Sequence, residues 1–165
     1  MDRSTASAAL PGSLVSEGPD DTHAIGRRIG SAAAPGTVLA LTGELGAGKT
    51  QLAKGVAEGL GVTSVVNSPT FVLMNEHVGR LRLHHIDAYR LADAEEASAA
   101  GLLDERFADG VTVVEWADRL DGWLPAERLE IHLETPMDAP MRRLVRWRAV
   151  GAEHEALATE ALRAS

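Results

Sequence analysis

Residues 43–50 of this chain read Gly43-Glu44-Leu45-Gly46-Ala47-Gly48-Lys49-Thr50, the pattern GxxxxGKT. The pattern follows TVLALT (residues 37–42), a short apolar run with β-branched members that fits a buried parallel strand. It precedes a helix predicted from about Thr50 to Leu60, with Gly61 placed as the C-terminal cap. Glycines let such a loop wrap so that backbone N–H groups converge on phosphate oxygens, and the helix N-terminus adds positive potential. Lys49 would reach the β/γ-phosphates as a point charge, and the Thr50 hydroxyl would ligate Mg2+. In a chain of this composition the pattern arises by chance with a probability of roughly 0.002, before any strand–helix context is required. The loop is therefore read as a nucleotide site rather than a glycine-rich turn.

Composition narrows the rest. The 165 residues are enough for one domain, and a hydrophobic fraction of 45% is enough for one core. Without cysteine, disulfide scaffolds, thiolate metal sites and cysteine nucleophiles are excluded. The net charge of −8 and the scarcity of aromatic residues argue against strong direct binding of nucleic acid, which needs neutralised phosphates and stacking platforms. Of 16 basic residues only Lys49 and Lys54 are lysines, so lysine at 49 stands out against an arginine background. No apolar run is long enough to span a bilayer, and no apolar segment of the secretory kind follows Arg3. A cytoplasmic location without a membrane partner is expected.

Residues 1–18, rich in Ser, Ala, Gly and Pro, are expected to form a flexible arm, with a single domain over 19–165. A helix is predicted from Asp20 or Asp21, carrying Ala24, Ile25, Ile29 and Ala32 on one face and ending at Pro35-Gly36. A short strand at Val65-Val66 comes next. FVLMNEH and RLRLHHI, flanking Val78-Gly79, read as an antiparallel hairpin. Residues 93–110 read as helical, and VTVVE (111–115) as a second buried strand. RLEIHLE and RRLVRWRAV alternate as half-exposed antiparallel strands do, with Trp147 in the core, and residues 154–165 close as a modest helix. The result is an α/β fold with a mixed sheet, an antiparallel hairpin and C-terminal antiparallel strands.

A phosphate loop needs a carboxylate at a strand end to organise Mg2+ or the attacking nucleophile. Two candidates exist: Glu115 ends VTVV, and Asp87 follows RLRLHHI. Parallel strands would deliver both to the same edge. Ser68-Pro69-Thr70-Phe71 could sense the γ-phosphate as a switch, or be an ordinary Ser-Pro turn. His84-His85 is a poor metal pair, because neighbours on a strand face opposite sides. Trp116, directly after Glu115, is expected near the site or at a partner surface.

Together these residues resemble the TsaE family, the small bacterial ATPases of tRNA threonylcarbamoyladenosine formation. The likeness rests on GELGAGKT, on Ser68-Pro69-Thr70-Phe71, on His85-Ile86-Asp87-Ala88-Tyr89-Arg90-Leu91 and on Glu115-Trp116, and covers about residues 20–150. It implies a P-loop NTPase-like three-layer fold, ATP with Mg2+ as cofactors, and partnership with the TsaB and TsaD proteins that modify adenosine beside the anticodon. By the same resemblance Lys49, Asp87 and Glu115 are the catalytic candidates, and Thr50 and Glu115 the metal-associated ones. Thr22, Leu45, Gly46, Ala47, Gly48, Lys49, Thr50, Gln51, Thr70, Asp87 and Arg143 would surround the nucleotide. Glu44, Gln51 and Ala88 depart from the family's usual residues; Gln51 removes one hydroxyl near the α-phosphate, though its amide can still donate. Two other functions use the same loop: a small-molecule kinase, which usually needs an arginine-rich lid not visible here, and a non-hydrolysing nucleotide-binding scaffold.

Overall fold

The computed structural model describes residues 9–44, 46–64, 74–90, 109–120 and 124–163. Two apolar runs, Thr37–Gly43 (β2) and Val111–Glu115 (β5), lie parallel at the centre of a seven-stranded mixed sheet. Both are almost wholly buried, which is why they read as continuous hydrophobic runs rather than alternating ones. Arg82–Asp87 (β4) pairs parallel to β5 and antiparallel to Met74–Val78 (β3), forming the predicted hairpin. On the other side β2 pairs parallel with Arg128–Glu134 (β6), which runs antiparallel to Arg143–Val150 (β7). In β6 Leu129, Ile131 and Leu133 are buried while the residues between them reach solvent, as the alternation predicts.

Among the described residues three helices cover one face: Pro19–Ala32 (α1), Lys49–Gly59 (α2) and Ala152–Ala161 (α3). Their Ile25, Ile29, Leu52, Val56 and Leu157 pack on Leu39, Leu41, Val113, Ile131 and Val145 of the sheet. Trp147 belongs to this core, as expected. On the opposite face Ala40, Ile86 and Val114 are covered by the 3-10 turns Ala88–Arg90 and Ala117–Leu120. The predicted strand at Val65-Val66 and nearly all of the predicted helical region over 93–110 lie outside the described residues.

The arm expected over residues 1–18 is corrected in part. Ala9–Ser16 forms β1, pairing antiparallel with the whole length of β7 at the edge of the sheet. Pro11 and Gly12 disguise it, since both are strand breakers in a central position, but an edge strand tolerates them. Gly12 is even required: a Cβ there would stand 2.2 Å from the Trp147 ring. The strand order is β1-β7-β6-β2-β5-β4-β3.

One packing feature sets the position of α2. Gly26 and Gly30 of α1 meet Gly55 and Gly59 of α2 backbone to backbone; a Cβ at any of the four would lie 2.0–2.2 Å from a carbonyl oxygen of the facing helix. The two helices are thus closer than side chains would allow, and the phosphate-loop helix is held to its neighbour through its own main chain. Arg80 completes the arrangement by donating to the Gly30 and Ala33 carbonyls (2.8 and 3.0 Å) at the C-terminal end of α1. Among the described residues no helix is long and apolar enough to cross a membrane.

Candidate functional site

After β2 the chain turns off the sheet at Gly43 and enters α2 at Lys49. Gly46 and Gly48 have φ values of +82° and +104°, a left-handed conformation that side chains disfavour. Gly48 is the N-cap and offers no side chain, so the first N–H groups of α2 remain available to an anion. Lys49 is buried, and its ammonium donates to the carbonyl oxygens of Gly43 and Glu44 at 2.6 and 2.8 Å. Burial pushes its pKa below the ordinary lysine value, while Glu115, Asp118 and Asp87 oppose the shift. A buried ammonium whose hydrogen bonds go to neutral loop carbonyls is a natural seat for phosphate oxygens.

The two acids arrive as predicted. Asp87 and Glu115 end the parallel strands β4 and β5 and are direct register partners. Both are buried. Glu115 Oε1 accepts a hydrogen bond from the Thr50 hydroxyl at 3.0 Å, and Asp87 Oδ1 accepts one from the Tyr89 N–H at 3.0 Å. The structure thus brings Lys49, Thr50, Asp87 and Glu115 together at one sheet edge. Among the described residues no group of three or more His, Asp or Glu could hold a metal ion by itself. Mg2+ in phosphate sites is held by one or two protein groups together with phosphate oxygens and water. The Thr50–Glu115 pair could supply such groups.

The other predicted contacts gather on the far side of the loop. Thr22, Gly46, Ala47, Gly48, Gln51 and Arg143 line a cleft of about 190 Å³. Arg143 donates to the carbonyls of Ala47 (3.0 Å) and Gly46 (3.2 Å), holding the loop from outside. The Thr22 hydroxyl is engaged with Ser16 at 2.7 Å, so this side chain ties β1 to α1 beside Gly48. Leu45 and the Ser68–Phe71 segment, with Thr70, lie outside the described residues. A larger cavity of about 410 Å³ opens on the opposite face of the sheet, over Thr42, Arg128, Arg146 and Arg148. Its arginines are tied to Glu130 and Glu134, and none of the described residues of the loop (43–50) lines it, whereas Gly46, Ala47 and Gly48 line the smaller cleft, which is the one relevant to phosphate chemistry.

Two residues acquire positions that spacing did not reveal. Trp116 has a φ of +60°, the only non-glycine residue with positive φ among those described. This turn carries its ring to the loop, where the Lys49 ammonium lies 3.9 Å from the ring centroid. The expected proximity of Trp116 to the site is realised. Tyr89 packs against its ring at 4.8 Å, with the Arg119 guanidinium 4.9 Å from Tyr89. His85, fully buried, places Nε2 2.5 Å from Glu115 Oε2. His84 turns to the other face, towards the Asp109 carbonyl (3.0 Å) and Glu76, so the two histidines do not form a metal pair. Parity was the available signal: His85 stands two residues before Asp87 and shares its face of β4.

The family model for "Threonylcarbamoyl adenosine biosynthesis protein TsaE" matches residues 16–144. A tRNA threonylcarbamoyladenosine biosynthesis protein TsaE from Bacillus subtilis is 45% identical over 144 residues, covering 86% of this chain and 88% of that one. The protein of the same name from Mycobacterium leprae is 41% identical over 132 residues, covering 74% and 82%. The crystal structure of Bacillus subtilis YdiB superposes with a TM-score of 0.77 at 36% identity, over 93% of this chain and 95% of that one.

Proposed function

The chain belongs to the TsaE family and has a role in tRNA threonylcarbamoyladenosine biosynthesis; within that role we propose that it is a Mg2+-dependent ATP-binding subunit that hydrolyses ATP and works with TsaB and TsaD. The observation that supports this reading is the convergence of Lys49, Thr50, Asp87 and Glu115 on one sheet edge, beside an uncapped helix N-terminus. Lys49 and the N–H groups at the start of α2 bind the phosphates. Thr50 and Glu115 would hold Mg2+, which when bound neutralises charge on the transferring phosphoryl group. Asp87, one strand over, orients the attacking water. Gln51 and the cleft beside Arg143 receive the nucleoside side of the ligand. The acidic surface charge suits a subunit that leaves the gripping of tRNA to its partners in the cytoplasm.

The test is to measure ATP binding and phosphate release by the purified chain, with and without Mg2+, alone and with TsaB and TsaD. The expected result is tight Mg2+-dependent binding, and slow release that quickens with the partners. Absence of nucleotide binding by the folded protein refutes the reading. Binding without release, even with the partners, replaces it with the non-hydrolysing scaffold.

A further inference from the structure

Resting on that reading of the site, we infer that His85 is a positioning residue for Glu115: its Nε2–H fixes one carboxylate oxygen so that the other faces Thr50 and the metal position. A glutamate carboxylate turns easily about its last bond, because that sp³–sp² torsion is broad. One hydrogen bond leaves this rotation loose; two, on different oxygens, define the plane. In this structure Oε1 accepts from Thr50 at 3.0 Å while Oε2 meets His85 Nε2 at 2.5 Å. The two partners come from different elements, the first turn of α2 and the middle of β4, so the carboxylate is braced between the loop helix and the sheet.

The tautomer follows from the partners. An ionised carboxylate only accepts, so the shared proton sits on Nε2. His85 Nδ1 is buried and makes no hydrogen bond, which suits a bare lone pair and not a second N–H, since a buried donor without an acceptor is costly. His85 therefore acts as a fixed donor. Its location supports this: it is completely buried, paired in register with Val113 of β5, and on the same face as Asp87. Groups that orient a metal-associated carboxylate from behind typically change metal affinity by about 10- to 100-fold when removed.

Two substitutions separate hydrogen bonding from mere space filling. In His85→Gln the side-chain amide nitrogen can occupy the place of Nε2, whereas in His85→Asn it falls at the place of Nδ1 and cannot reach Glu115. ADP affinity is measured for the full chain across a MgCl2 titration and in EDTA. In EDTA all three proteins should bind ADP alike, which also reports folding. With Mg2+, His85→Asn should need about 10- to 100-fold more metal to reach half of the metal-dependent gain, and His85→Gln should recover most of it. Equal midpoints in all three, or equal impairment of Gln and Asn, overturn the positioning role while leaving the nucleotide site intact. Failure of the unmutated chain to gain affinity with Mg2+ overturns the site reading and this inference with it. A ¹⁵N spectrum of the imidazoles in the unmutated chain gives an arm independent of any variant: His85 should carry its proton on Nε2, and a proton on Nδ1 alone overturns the inference.

Discussion

Replacing Gly55 with alanine should destabilise the protein although alanine is the better helix former. In an open helix the change would gain about 0.8–1.0 kcal/mol. Here the new Cβ would stand 2.0 Å from the His23 carbonyl oxygen and 3.0 Å from the Arg27 nitrogen, all main-chain atoms that no rotamer change can move aside. Reaching even a tight 3.0 Å contact with that oxygen means separating α1 from α2 by about 1 Å, in a core where overpacking costs about 1–3 kcal/mol. Gly26, Gly30 and Gly59 share the same contact, which places the cost at the upper end of that range. The net loss is then about 2 kcal/mol, or a fall in Tm of about 4–8 °C for a chain of this size. Urea unfolding and calorimetry measure it. Ser31→Ala, an exposed position in the last turn of α1, is the control and should be neutral or slightly stabilising. Because α2 carries Lys49 and Thr50, ADP binding by the Gly55→Ala protein should weaken as well. A variant as stable as the parent, or more so, would refute the claim that α1 and α2 meet through their backbones.

Lys49→Ala should weaken ATP binding by about 10- to 150-fold, the equivalent of losing a charge-assisted contact of about 1.5–3 kcal/mol; unchanged affinity by calorimetry in a folded variant would remove Lys49 from the site. Trp116 should report the ligand, because phosphates would draw the Lys49 ammonium away from an indole it now approaches to 3.9 Å. With Trp123 and Trp147 replaced by Phe, emission should differ between the free and the ADP–Mg2+ states; identical spectra despite proven binding would make Trp116 mere packing. His154 accepts a hydrogen bond from the Val38 N–H at 3.1 Å through Nε2, and burial pushes its pKa below the usual 6.5. A histidine whose folded pKa is depressed contributes stability that is full above its unfolded pKa and is lost as pH falls below about 6.5. The urea midpoint should therefore drop between pH 7.5 and pH 5.5, and His154→Leu should flatten the drop, leaving a residual slope from His77, which burial shifts the same way.

The loop and its two acids were legible in the residues alone, for reasons of local chemistry. A left-handed turn favours glycine, a phosphate seat demands a cation one residue into a helix, and a buried strand shows itself as an apolar run. TVLALT and VTVVE carried that signal strongly, because both are covered on both faces, and their parallel pairing brought Glu115 beside Asp87 as supposed. The hairpin was plain from the two runs flanking Val78-Gly79, and β6 and β7 from alternation. In β1, Pro11 and Gly12 spoke locally for a loop, and only the neighbouring β7 and the Trp147 ring gave them a strand's geometry.

What tertiary structure alone decided are the contacts between segments distant along the chain. Nothing near Arg143 says that its guanidinium will hold the Gly46 and Ala47 carbonyls, 97 and 96 residues earlier. Nothing near Trp116 requires a left-handed turn that lays its ring beside Lys49. The pairs Gly26/Gly30 and Gly55/Gly59 are visible as small residues four apart, but their meaning exists only where the two helices cross. His85 belongs to the same class: the strand's parity places it on the face of Asp87, yet whether it filled space or gripped a carboxylate depended on where β5 ended. Short-range demands of backbone and charge are written residue by residue, whereas a hydrogen bond across the sheet needs two elements in register, and register is a property of the whole fold.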